Sequence, residues 1–157
     1  MDMLERLEHE AYEDGIDVVR YAFHSDRIKG LYCDGVIGIN KGIKTRIEES
    51  CILAEELGHH YTTVGDIIDQ KIDGNVKKEN KARLWAYNKK VGLTGIVDAY
   101  KYGCRNLYEM AEYLEVTEEF LKETLDMYHS KYGLYTTIDN YIIYFEPSLT
   151  VADMNFI

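Results

Sequence analysis

The sequence predicts an α+β fold that is mostly helical, with a small N-terminal β-sheet and a C-terminal β-hairpin. Thr45 and Glu48 form a T-x-x-E capping box before a long apolar-rich stretch, a pattern typical of a helix N-terminus. The pair Asp34-Gly35 lies between β-rich stretches and favours a two-residue hairpin turn. Most of the chain after residue 77 repeats apolar residues at the three- and four-residue spacing of helices.

The predicted elements follow one another along the whole chain. A short amphipathic helix covers 2–13 and ends at Gly15, and the stretches 16–23 and 29–40 predict a sheet of about three strands. The capped helix runs from Thr45 to about His60. A connecting loop over 61–76, helices over 77–90, 94–102, 106–114 and 117–131, and two strands around Asp139-Asn140 complete the prediction.

We expect these elements to form a single domain over residues 1–157, because no repeat, low-complexity tract or linker interrupts the sequence. Within it, residues 1–44 supply a helix and the small sheet. Residues 45–131 supply a helical core, and residues 134–157 supply the C-terminal strands.

Composition limits the classes of partner. The net charge of −10 disfavours direct binding to nucleic acid or to anionic lipid, and no apolar run is long enough to cross a membrane. The three cysteines, Cys33, Cys51 and Cys104, are widely spaced, which is typical of free thiols in a reducing compartment. The acidic N-terminal stretch lacks the pattern of a signal peptide. We therefore expect a cytoplasmic protein, whereas the sequence does not predict its oligomeric state.

The stretch "AEELGHHYTT" is similar to the zinc-protease motif H-E-x-x-H, with Glu55 at the position of the first histidine. Residues four apart share a helix face, so Glu55 and His59 can bind one ion from the same side. Glu56 is rotated by about 100° and can reach a water molecule at that ion. Two alternatives remain open: a polar helix end whose histidines complement the helix dipole, or a shifted ligand pair of Glu56 and His60.

A third ligand is predicted on the next helix. Glu79 shares an apolar stripe with Ala82 and Ala86, so it should point toward the core rather than toward solvent. The alternative is an N-terminal glutamate that is favoured by the helix dipole alone.

Five segments together resemble the ImmA/IrrE family of metallo-endopeptidases, especially members encoded by phages and integrative elements of Gram-positive bacteria. They occur in the family's order and cover roughly residues 5 to 133. These segments are "GIDVVRYAF", "KGLYCDGVIGIN", "ILAEELGHHYTT", "ENKARLWAYNKK" and "NLYEMAEYLEVTEEFLKETLDMYHSKYG".

The resemblance implies a zincin-like domain in which the small sheet packs on the active-site helix. It implies zinc held by Glu55, His59 and Glu79, with Glu56 as the general base. The implied substrate is a helix-turn-helix repressor of the same phage or mobile element, and its cleavage would relieve repression. Tyr61 is a candidate oxyanion donor by its proximity alone, and packing is the alternative role for it.

The glutamate at position 55 departs from the family pattern. Two carboxylates cancel nearly all the charge of Zn²⁺, so the ion should polarise water and the peptide carbonyl more weakly. We expect slow turnover, or a preference for a harder ion such as Mn²⁺. Two other classes remain: a protease-like module that binds the repressor without cleaving it, and a DNA-binding regulator. The spacing of apolar residues over 106–128 is typical of a helix-turn-helix and favours the DNA-binding regulator. The glutamates of that segment disfavour it, because they would repel the phosphates of DNA.

Overall fold

The computed structural model describes residues 1–63 and 72–156. The described residues form six α-helices and two three-stranded sheets, which confirms the predicted α+β class. The chain divides into two compact units, Met1–Lys89 and Lys90–Ile157, and each is described by itself.

The first unit combines three helices with one sheet. The sequence prediction of a short N-terminal helix, a small sheet and a capped helix is confirmed in that order. Its elements are α1 (Met3–Glu13), β1 (Asp17–Tyr21), β2 (Gly30–Cys33), β3 (Val36–Asn40), α2 (Arg46–Thr63) and α3 (Ile72–Lys90).

The sheet of the first unit has the order β1-β3-β2, with β1 parallel to β3 and β2 antiparallel to it. Asp34 and Gly35 both have positive φ, 47° and 81°, which is the conformation a two-residue hairpin turn requires. The predicted turn is therefore confirmed. Ile37 and Ile39 of β3 are fully buried, and α2 packs against β2 and β3. The edge strand β2 thus runs beside α2.

The sequence predicted the start of α2 correctly but not its end. At the start, the amide of Glu48 donates to Thr45 Oγ1 at 3.1 Å, so the predicted cap at Thr45 is confirmed. The other half of the predicted capping box is not observed, because the carboxylate of Glu48 pairs with Lys29. At the other end the helix continues to Thr63, and α3 begins at Ile72. The predicted loop over 61–76 is therefore wrong at 61–63 and at 72–76, while its middle part, 64–71, lies outside the described residues.

The second unit contains three helices and an antiparallel sheet of order β4-β5-β6. The three predicted helices and the hairpin around Asp139-Asn140 are confirmed, and β6 is a third strand that the sequence did not predict. The buried side chains of Leu121, Tyr128 and Ile143 lie in its core. Its elements are α4 (Gly92–Tyr102), α5 (Leu107–Leu114), α6 (Glu118–Tyr132), β4 (Tyr135–Ile138), β5 (Tyr141–Tyr144), β6 (Thr150–Asp153) and a short 3₁₀ helix (Met154–Phe156).

Two further observations bear on the composition argument. Within residues 1–63 and 72–156, no helix is long and apolar enough to span a bilayer. Cys33, Cys51 and Cys104 are all free thiols, as expected from their spacing.

Candidate metal centre

Helices α2 and α3 approach each other closely at Gly58. A Cβ atom added to Gly58 would lie 2.2 Å from the carbonyl oxygen of Ala82, so only glycine permits this contact. The contact sets the register between the helices. Glu79 precedes Ala82 by one turn and His59 follows Gly58, so the close contact brings these two side chains together.

His59 and Glu79 are in direct contact. Nε2 of His59 lies 3.0 Å from Oε2 of Glu79, and the other carboxylate oxygen of Glu79 accepts from Nε of Arg83 at 3.1 Å. Two donors bound to one tetrahedral zinc ion at about 2.0–2.1 Å are about 3.3 Å apart. The observed separation is thus close to the one that a shared ion needs, although the two groups now bond to each other.

Glu56 lies on α2, one turn before His60. Its side chain is partly buried and lies beside β2. Its pKa is raised to about 7, chiefly by burial and then by the negative charges of Glu55 and Glu79 in that order. The backbone amide of Tyr32 donates to the carboxylate and acts in the opposite direction. Gly30 leaves room for this side chain, because a Cβ at that position would lie 3.1 Å from Cγ of Glu56.

The carboxylates of Glu55 and Glu79 therefore both act electrostatically on Glu56, and His59 contacts Glu79. We name these four residues the carboxylate–histidine cluster. Carboxylate oxygens and an imidazole nitrogen are donors that suit Zn²⁺ and Mn²⁺, and a cation would offset the repulsion that raises the pKa of Glu56. Among the residues described, however, no three histidine, cysteine or acidic side chains are already arranged around a common ion position.

His60 and Tyr61 contact other groups. Nδ1 of His60 shares a hydrogen bond with the hydroxyl of Tyr32 at 2.7 Å. The hydroxyl of Tyr61 donates to Asp14, and its ring stacks on Trp85 with centroids 5.1 Å apart. Burial, and then Asp14, raise the pKa of Tyr61 to about 12. The structure thus brings His59 rather than His60 to Glu79, and it engages Tyr61 in packing and with Asp14.

The sequence analysis did not identify three residues that shape the site, namely Gly58, Gly30 and Tyr32. Gly58 offered a signal, because an isolated glycine inside a helical pattern often marks a close approach of two backbones. Gly30 and Tyr32 offered none, since their roles depend on how β2 lies along α2.

Comparisons with known proteins add no further constraint. No protein-family model, no curated protein and no solved structure matches the chain. The fold and the site therefore define it as an α+β protein with a carboxylate–histidine cluster between two helices, and the ImmA/IrrE resemblance stays a prediction.

Proposed function

We propose that the first unit is a metal-dependent endopeptidase that cleaves a helix-turn-helix repressor of the same phage or mobile element. The observation that carries the proposal is the contact between His59 and Glu79, next to a glutamate whose pKa is raised to about 7. These are the residue types, on two packed helices, that a zinc-dependent hydrolase needs as ligands and general base.

Glu55, His59 and Glu79 are the residues that would hold the ion. Bound zinc would supply Lewis-acid chemistry, which polarises a peptide carbonyl and makes water more acidic. The three residues would fix its position from two helices whose register Gly58 sets. Their combined charge would weaken that Lewis acidity, so slow turnover or use of Mn²⁺ is expected.

Glu56 would move the proton. A carboxylate beside the ion can take a proton from an attacking water and return it to the leaving amine. The Tyr32 amide holds the carboxylate in place from β2. Since β2 is an edge strand, an extended substrate segment beside it would lie within reach of Glu56.

A second candidate function is capture of the repressor without cleavage. The observation in its favour is that both oxygens of Glu79 are already engaged, one by His59 and one by Arg83. An ion would have to compete with these contacts. In this case the cluster would be a structural ion-pair network on a binding module.

The Glu56→Gln variant separates the two functions. Purified protein is incubated with the repressor encoded beside it, and both cleavage and complex formation are measured. The endopeptidase should lose cleavage by about 10²–10⁴-fold in the variant while complex formation is retained. Wild-type protein that forms the complex but never cleaves, with Zn²⁺ or Mn²⁺ present, would establish capture instead.

A further inference from the structure

The second unit contains a cavity that the proposed function does not use. It has a volume of about 580 Å³ and lies between α4, α5, α6 and the loop that connects β5 to β6. Small-molecule sites in proteins typically have volumes of about 300–1,000 Å³. Its apolar lining includes Leu107, Met110, Leu125 and Phe145. The cavity thus has the size and the lining of a ligand site.

Two opposite charges line the same cavity. Arg105 precedes α5 and Asp126 lies on α6. Neither side chain forms an ion pair with the other or with any residue in the described part of the chain. His129, which also lines the cavity, differs from them because its Nε2 contacts Oε1 of Glu146 at 2.9 Å. The Arg105 and Asp126 side chains are therefore available to a ligand.

We propose that this cavity binds a small apolar zwitterion, namely a hydrophobic α-amino acid or a short apolar peptide. The ligand's carboxylate pairs with Arg105, whose planar guanidinium matches a carboxylate in two parallel hydrogen bonds. Its ammonium group pairs with Asp126, and its apolar side chain contacts Leu107, Met110 and Leu125. A ligand with a carboxylate alone fits less well, because Asp126 would repel it.

The inference does not depend on the endopeptidase. Every residue that carries it lies between Lys90 and Ile157, whereas the carboxylate–histidine cluster lies in the first unit. Binding of the zwitterion can therefore be measured on metal-free protein, and failure of either proposal leaves the other intact.

Ligand chemistry is tested first, by isothermal titration calorimetry on the full chain. The probes are L-leucine, L-phenylalanine and leucyl-leucine. Three analogues each lack one feature: leucinamide lacks the carboxylate, N-acetyl-leucine lacks the ammonium group, and glycine lacks the apolar side chain. We expect at least one of the three probes to bind, and the analogues to bind about tenfold or more weakly than the bound amino acid or peptide. Tighter binding of leucyl-leucine than of leucine would identify a peptide ligand, and the reverse order a free amino acid.

Two variants then test the residues. Arg105→Gln should remove the preference for leucine over leucinamide and keep the preference over N-acetyl-leucine. Asp126→Asn should do the opposite. Both side chains are exposed, so neither change disturbs the core. The matched controls are Lys122→Gln and Glu119→Gln on α6, which lie outside the cavity lining and should change nothing.

Two results would overturn the inference. One is the absence of binding by all three probes at about 10 mM, which would place any affinity below a useful range. The other is wild-type protein that binds leucinamide or N-acetyl-leucine as tightly as the tightest-binding of the three probes, because the charge missing from that analogue would then not contribute.

Discussion

The raised pKa of Glu56 predicts an unusual dependence of stability on pH. Its pKa is about 7 in the folded protein and 4.5 in an unfolded chain. Between these values the folded state holds a proton that the unfolded state has released, so the free energy of unfolding falls as the pH rises. At about 1.4 kcal/mol per pKa unit, the shift corresponds to a loss of about 3 kcal/mol across that window.

Glu56→Gln should remove this loss, because glutamine keeps the shape and the acceptor for the Tyr32 amide but never becomes charged. The free energy of unfolding is measured by urea denaturation in the presence of a chelator, from about pH 5 to about pH 8. The stability of the variant relative to wild type should rise by up to about 3 kcal/mol over that range. The control is Glu119→Gln, an exposed position on α6, whose difference from wild type should stay flat.

Zn²⁺ provides the complementary measurement. A cation held by the cluster would lower the pKa of Glu56, so the wild-type protein should no longer lose stability as the pH rises. The free energies of unfolding of Glu56→Gln and wild type are compared at each pH in the presence of the chelator. A difference that does not change with pH would refute the electrostatic reasoning about the cluster.

Three further predictions concern the ligands and the helix contact. His59→Ala should lose bound zinc in elemental mass spectrometry while His60→Ala retains it; loss only in the latter would contradict the assignment of His59. Glu55→His, which restores the H-E-x-x-H pattern, should raise the turnover of repressor cleavage because the ion would keep more positive charge, and an unchanged or lower rate would argue against that charge effect. Gly58→Ala should cost about 1–3 kcal/mol or more in denaturation experiments, since its Cβ would meet the backbone of α3. The control is Gly95→Ala, whose added Cβ would contact only the end of the Leu114 side chain, so it should cost less stability. Equal costs for the two substitutions would contradict the close backbone contact at Gly58.

Local signals in the sequence predicted much of the fold. The cap at Thr45 and the turn at Asp34-Gly35 each depend on residues within three positions, and the structure confirms them. The parallel pairing of β1 with β3 and the pairing of β6 with β5 join strands without a tight turn between them. Such pairings leave no local signal, so the sequence did not predict them.

The end of α2 shows why the predicted loop was wrong. Polar residues and two glycines over 61–76 favoured a loop, yet Tyr61 stacks on Trp85 and bonds to Asp14. These contacts come from residues 24 and 47 positions away, and they stabilise a helical turn that its own sequence favours weakly. Tertiary contacts therefore outweigh local propensity here.

The candidate site was predictable only in part. Helical spacing placed Glu55, Glu56 and His59 on one turn of α2. The apolar stripe of α3 predicted that Glu79 points toward the core, whereas its side chain is partly exposed and contacts His59. The role of Tyr32 in holding Glu56 was not predictable, because it depends on the position of β2. Nor was the bond between His59 and Glu79, since side-chain pairing across helices depends on the contact at Gly58.

The metal content of the purified protein tests the proposed metal centre most directly. Chelator-free wild-type protein and the Glu55→Ala variant are compared by elemental mass spectrometry after incubation with Zn²⁺. We predict near one zinc per chain in wild type and a clear loss in Glu55→Ala. No metal in either protein would contradict the proposed centre and favour a binding module in which His59, Glu79 and Arg83 form a structural ion-pair network.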